Sequence, residues 1–102
     1  MGLKLSAMPQ EQLNACNIKQ TDGKLSTDID GETVLMDLQS GTYSSFNAVA
    51  SHIWGELEKG EQVPPLLESI LENFDVEREV AYNELISFLD ELSEKNFIEI
   101  QS

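Results

Sequence analysis

Residues 30–47 of the chain read Asp30-Gly31-Glu32-Thr33-Val34-Leu35-Met36-Asp37-Leu38-Gln39-Ser40-Gly41-Thr42-Tyr43-Ser44-Ser45-Phe46-Asn47. Asp30-Gly31 and Ser40-Gly41 are turn dipeptides, and residues 33–38 between them alternate in the way of a strand with one buried face. The alternation sets Val34, Met36 and Leu38 against Thr33, Leu35 and Asp37. Residues 42–46 are rich in β-forming residues, and Asn47 is a good N-cap. The stretch therefore predicts two short strands that lead directly into a helix.

The flanking sequence extends this pattern in both directions. Residues 25–29 predict a further strand before the Asp30-Gly31 turn, so the turn spacing suits an antiparallel meander of three strands. After Asn47 the period becomes helical, with apolar residues at Val49, Ile53, Trp54 and Leu57. Gly60 is placed to end that helix.

Two more helices are predicted downstream. Pro64-Pro65 opens a short one with an apolar stripe, since proline is favourable in the first helical turn. Asp75 is a plausible cap for a longer one that runs to about Lys95, after which residues 97–100 resume a strand-like alternation. Three strands followed by three helices predict an α+β fold of the winged helix-turn-helix type.

Residues 1–24 lack a sustained apolar period because proline and amide side chains interrupt it. We expect a weakly ordered N-terminal arm, part of which can dock through Leu3, Leu5 and Ile18. Residues 25–102 are predicted to form one domain, which is long enough for a modest core.

Charge limits the classes of partner. The 102 residues include 19 acidic and six basic ones, a formal net charge of −13, and residues 56–102 carry 13 acidic and three basic ones. A DNA-binding protein must neutralise phosphates with lysine and arginine. The composition therefore argues against nucleic acid and favours either a solvated repulsive surface or attraction of a basic partner.

The sequence shows no membrane or export signal. No apolar run approaches the roughly 18 residues of a transmembrane helix, and the N-terminal residues lack the basic and apolar regions of a signal peptide. We expect a cytoplasmic protein without a membrane partner. The single cysteine, Cys16, excludes an internal disulfide.

Catalytic groups are scarce. His52 is the only histidine and adjoins an apolar stripe, where a surface or boundary role is the ordinary one. No nucleophile and base can be paired, and no glycine-rich phosphate loop is present. We expect no enzyme activity, no metal and no cofactor.

One family matches this order of elements. The run from Asp30 to Tyr43, followed by Phe46-Asn47 and Ile53-Trp54, resembles the PqqD-like family. Phe88-Leu89…Leu92 and Asn96-Phe97-Ile98 resemble it as well, so the similarity spans about residues 25–100. Members are also called RiPP recognition elements, small domains that bind the leader of ribosomally made and post-translationally modified peptides.

The resemblance implies a binding mode. In the family the leader adds as an extra strand beside the third strand, in a groove closed by the third helix, and here an edge strand at residues 42–46 supplies unpaired backbone groups. The implied contacts are the backbone of Thr42, Tyr43, Ser44, Ser45 and Phe46, a groove floor of Tyr82, Ile86 and Leu89, and a rim of Glu79 and Asp90. For Tyr82 and Ile86, ordinary helix packing is an equally good interpretation.

The resemblance makes the protein a non-catalytic adaptor that delivers a precursor peptide to a modifying enzyme or leader peptidase, in a lasso-type or PQQ-type pathway. Two other classes stay open. A winged-helix transcription regulator needs a basic recognition helix, whereas residues 75–95 hold seven acidic residues against Arg78 and Lys95. A structural or dimerisation subunit of another assembly is the third class.

Overall fold

A computed structural model describes residues 8–30 and 32–101 and has four helices and five strands there. In chain order they are α1 (Gln10–Ala15), β1 (Asn17–Gln20), β2 (Lys24–Ile29), β3 (Glu32–Asp37), β4 (Tyr43–Phe46), α2 (Ala48–Glu56), α3 (Val63–Asn73), α4 (Arg78–Glu94) and β5 (Ile98–Gln101). The predicted α+β layout is confirmed: β2, β3 and β4 form an antiparallel sheet in that order, followed by three helices.

The turn between β3 and β4 follows from its sequence. The Asp37 carboxylate accepts hydrogen bonds from the Gln39 N–H at 3.1 Å and the Ser40 hydroxyl at 3.0 Å, and Gly41 takes the left-handed conformation with φ 72°. These bonds, the Gln39 N–H first, lower the pKa of Asp37, and the nearby Lys24 ammonium adds to the effect. In the preceding turn Asp30 has φ 52°, while Gly31 lies outside the described residues.

The face of β3 that is buried against the helices is the less apolar of the two. The buried face carries Leu35 and Thr33, and Phe46 lies opposite Thr33 across the ladder. The more apolar set of the alternation, with Val34 and Met36, faces away from the helices and is only partly buried. Period-two alternation specifies that a strand has two faces, but contacts with distant helices decide which face is covered.

The three helices predicted after the sheet are present and close the core. Asn47 caps α2 as predicted, since its side chain accepts a hydrogen bond from the Ala50 N–H at 2.9 Å. The long helix begins at Arg78 with Glu77 as N-cap, two residues later than a cap at Asp75 predicts. The largest fully buried side chains of this part are the α2 C-cap Leu57 and the helical residues Val63, Leu66, Ile70, Leu85, Leu89 and Leu92.

Residues 10–20 differ from the weakly ordered arm that the sequence predicted. They form α1 and β1, and β1 pairs antiparallel with β5. Ile18 docks as expected and is fully buried, as is Leu13, whereas Leu3 and Leu5 lie outside the described residues. No local pattern predicts this strand, because its partner lies about 80 residues away along the chain.

Candidate functional site

The backbone of β4 has one open edge, because β3 is its only neighbour in the described sheet. The Asp37 N–H donates to the Thr42 carbonyl at 2.9 Å. Hydrogen-bonding direction alternates along an antiparallel strand, so every second residue from Thr42 turns its polar groups toward β3. The residues between them, Tyr43 and Ser45, turn their N–H and C=O groups outward.

The end of this edge is fixed by a side chain of α2. The Ser51 hydroxyl accepts from the Thr33 N–H at 2.8 Å and donates to the Phe46 carbonyl at 3.1 Å. It thus replaces the last direct bond of the ladder and ties β4 to α2. The open edge is short and held in place.

Helix α4 runs beside β4 and forms the wall of a groove. The Phe88 ring meets the Phe46 ring edge-on, with centroids 5.1 Å apart. Near the other end of the strand, the Lys95 ammonium lies 3.4 Å from the Ser44 hydroxyl. These contacts are made by the side chains of Ser44 and Phe46, and they leave the backbone N–H and C=O groups that point away from β3 free. We call the space bounded by β4 and this face of α4 the edge groove.

Two depressions lie at the ends of the edge groove, each with a volume of about 410 Å³. The first lies at the start of β4 and is lined by Tyr43, Ser44, Lys95 and Phe97, among others. Its charged groups are Asp37 and Lys95.

The second depression lies between α2 and α4, beyond Phe46. Its apolar lining comprises Val49, Ala50, Ile53 and Phe88, and its carboxylates are Glu84 and Glu91. It suits an apolar side chain and carries negative charge at its rim.

The structure separates the site residues implied by the resemblance. Residues Tyr43–Phe46 form β4, and Thr42 immediately precedes it. Tyr82, Ile86 and Asp90 line a different depression of about 340 Å³ together with Met8 and Leu13, on the α1 side of the helix. The remaining two are Leu89, which is fully buried in the core, and Glu79, which is exposed in the first turn of α4.

Four residues of α4 and its C-cap line the two depressions beside β4 and α2 but not the one on the α1 side: Glu84, Phe88, Glu91 and Lys95. Asn83 and Ser87 line both sides. Sequence reasoning named Phe88 only in the Phe88-Leu89…Leu92 motif and placed none of these four residues in the site. Their spacing of four, three and four residues places them on one helical face. That spacing could have grouped them, but periodicity does not say which face meets the strand.

His52 contacts two polar side chains without forming a catalytic relay. Its Nε2 atom lies 2.7 Å from the Ser69 hydroxyl and 3.2 Å from a Glu56 carboxylate oxygen, and Ser69 also donates to Glu56. A serine–histidine–carboxylate relay needs the serine and the acid on opposite ring nitrogens. Here both meet the same nitrogen, and the group joins α2 to α3.

Neither metal ligation nor membrane insertion is indicated in the described part of the chain. Residues 8–30 and 32–101 contain no group of three or more histidine, cysteine or acidic side chains arranged to hold a metal ion. None of the helices described there combines the length and apolar character needed to cross a bilayer.

Comparisons with known proteins give consistent matches. The sequence model of the family described as coenzyme PQQ synthesis protein D (PqqD) matches residues 32–98. A solved structure described as TbiB1 in complex with the TbiA(beta) leader peptide is 37% identical, covers 79% of this chain and 94% of its own, and has a TM-score of 0.72. Lasso peptide synthetase B1 complexed with the leader peptide shares the fold at 22% identity, with coverage of 80% and 96% and a TM-score of 0.71. A comparison with curated proteins found no match.

Proposed function

The chain belongs to the PqqD family, and on that premise we propose that it is a non-catalytic adaptor that binds the leader region of a ribosomal precursor peptide. The leader adds as a strand beside β4 and is presented to a separate enzyme. The observation that carries this proposal is the open backbone edge of Tyr43 and Ser45, facing a wall formed by α4.

The geometry supports strand addition in detail. The N–H and C=O groups of Tyr43 and Ser45 supply up to four main-chain hydrogen bonds, which give affinity without regard to leader sequence. Side chains of an added strand alternate between two faces. Those on the inner face enter the edge groove beside Phe88, and those on the outer face lie next to Tyr43.

Selectivity then comes from the two depressions at the ends of the edge groove. The depression beyond Phe46 has an apolar lining with Glu84 and Glu91 at its rim, so it favours an apolar leader residue that has a basic neighbour. The opposite end, with Lys95, tolerates an acidic or polar residue. The TbiB1 structure contains a leader peptide, and its 37% identity to this chain supports the assignment of a leader as ligand.

A second protein must perform the chemistry, since the proposed site has backbone groups and pockets but no reacting side chains. We assign that role to a modifying enzyme or a leader peptidase of a lasso-type or PQQ-type pathway. The outer face of the sheet is available to it: Leu25, Leu38 and Tyr43 are each more than half exposed there. This face adjoins the edge at which the leader adds.

Hydrogen exchange tests the proposal at single amides. The probe is a synthetic TbiA(beta) leader peptide, the ligand named in the solved TbiB1 complex, measured at saturation. The Tyr43 and Ser45 amides should gain protection of at least about tenfold, while those of Ser44 and Phe46, already bonded to β3, should change much less. A leader that binds tightly and protects neither Tyr43 nor Ser45 would show that it does not add to this edge.

A further inference from the structure

A cavity of about 610 Å³ lies at the opposite edge of the sheet from the edge groove, between β2 and α2. Ser26 and Asp28 line it from the strand, and Gly55 lines it from the helix. Phe74 and Glu58 are also among the residues that line it. These five residues take no part in the leader site proposed above, although Ser51 and Thr33, which hold the end of β4, also line the cavity.

Strand β2 has its own open edge along this cavity. The Leu38 N–H donates to the Gly23 carbonyl at 3.2 Å, and the register pairs Leu25 with Met36. Alternation then turns the odd-numbered residues of β2 toward β3 and the even-numbered ones outward. Ser26 and Asp28 therefore direct N–H and C=O groups away from the sheet.

Nothing among the described residues covers β2. Five of its six residues are exposed, and Leu25 and Ile29 keep 57% and 55% of their surface accessible. An uncovered strand edge of this length, flanked by exposed apolar side chains, is a template for pairing with another chain.

The charges around the cavity identify the kind of chain. Asp28 and Glu58 lie in its lining, and no lysine or arginine is found among the described residues that line it. The cation of β2 itself, Lys24, is paired with Asp37 at 3.7 Å. A second copy of this chain, itself at −13, is disfavoured by like-charge repulsion, whereas a basic segment is attracted.

Gly55 points to the same use of the cavity. A glycine inside a helix is destabilising relative to alanine, and a Cβ atom built at Gly55 meets no atom within 4 Å. Neither close packing nor a left-handed backbone requires glycine here. Its effect is to keep the helix side of the cavity flat.

We propose that the β2 edge and this cavity form a second peptide-binding groove, for an extended basic segment of about six residues. Side chains opposite Ser26 and Asp28 fall on the cavity side, next to the carboxylates of Asp28 and Glu58. The side chains between them join Leu25 and Ile29 on the outer face. We therefore expect the bound segment to alternate basic with apolar residues, because successive side chains of an added strand point to opposite faces.

Three hexapeptide probes test this inference on the full chain. The first, acetyl-Lys-Val-Arg-Val-Arg-Val-amide, alternates as proposed; the second, acetyl-Lys-Arg-Arg-Val-Val-Val-amide, has the same composition but clusters its charges; the third replaces every basic residue of the first with glutamate. Amide chemical shifts of an isotope-labelled protein should move at residues 24–28 and 51–58 with the first probe. Its affinity should exceed that of the second by at least about fivefold, and the third should not bind.

Two variants identify the groups involved. Asp28→Asn with Glu58→Gln should weaken the first probe about tenfold at low salt, and Ser26→Pro should abolish its binding by removing an outward donor. Ser45→Pro, which alters the leader edge, should leave the first probe unaffected, so this result is independent of the leader proposal. Equal affinity for the alternating and clustered probes, or shifts that map to β4 and disappear in Ser45→Pro, would overturn the inference.

Discussion

Proline at Ser45 tests the leader site with a matched pair of controls. The Ser45 N–H points away from β3, so proline removes no bond of the ladder and is tolerated at this edge position. Ser45→Ala keeps the N–H and removes only the hydroxyl. Ser44→Pro deletes an inward donor and leaves the carbonyl of the buried Leu35 without its partner.

The expected loss of affinity follows from the hydrogen bonds. Removing the Ser45 donor forfeits one main-chain bond, a net contribution of about 0.5–1.5 kcal/mol, and leaves a leader carbonyl unpaired at a further cost of about 1–3 kcal/mol. The sum, roughly 1.5–4.5 kcal/mol, corresponds to a Kd raised about 10- to 2,000-fold. Ser45→Ala should change Kd less than about threefold, since the backbone is the group recognised.

Fluorescence anisotropy with a labelled leader measures Kd, and circular dichroism with urea unfolding checks the fold. The free energy of unfolding of Ser45→Pro should lie within about 1 kcal/mol of the parent's. That of Ser44→Pro should be lower, because a hydrogen bond between β4 and β3 is broken. A folded Ser45→Pro variant that binds the leader as tightly as the parent would refute strand addition at β4.

Four other outcomes are expected. The association rate of a basic leader should fall as salt rises to about 0.5 M while the dissociation rate changes little; stopped-flow traces independent of salt would remove any steering role for the acidic surface. Phe88→Ala should weaken leader binding by about 1–3 kcal/mol and Tyr82→Ala should not, so calorimetry giving the reverse order would move the groove to the α1 side. Asp37→Asn should be less stable than the parent at pH 7, because the pKa of Asp37 is lower in the folded protein than in the unfolded chain. The ionised carboxylate therefore stabilises the fold above the unfolded-state pKa of about 3.9, and this stabilisation is lost as the pH falls through the folded-state pKa. Urea titrations showing the same gap at pH 7 and pH 2 would contradict that account. Gly60→Ala should destabilise by about 1–2 kcal/mol, because φ is 92° and the new Cβ would approach the Asn17 amide; an unchanged urea midpoint would be inconsistent with this.

Features encoded within a few residues were predictable from the sequence. The Ser40-Gly41 turn, the Asn47 cap and the prolines at the start of α3 each act on the adjacent backbone, and the structure confirms the elements that they delimit. The three-stranded meander followed from the spacing of those turns. The choice of buried face on β3 did not, because Leu35 and Val34 are both apolar and only contacts with the helices distinguish them.

The candidate site was predictable to the same extent. The edge position of residues 42–46 follows from their being the last strand of the meander, and the structure adds the direction of each amide. Which face of α4 lies beside β4 depends on the angle at which that helix crosses the sheet. Both sides of α4 carry aromatic and acidic side chains, so the sequence does not show whether Tyr82 or Phe88 faces β4. The structure distinguishes them because α1 packs on the side that carries Tyr82.

The β1–β5 pair has a consequence for how the chain folds. Ile18 pairs with Ile100, so the pair closes a loop of roughly 80 residues, and the entropy cost of closure grows with loop length. The β2–β3–β4 meander needs only short loops and should form earlier. We therefore expect the two strands to meet in the final step of folding. A chain still emerging from the ribosome would then have the open edge of β4 in place before β1 and β5 have joined.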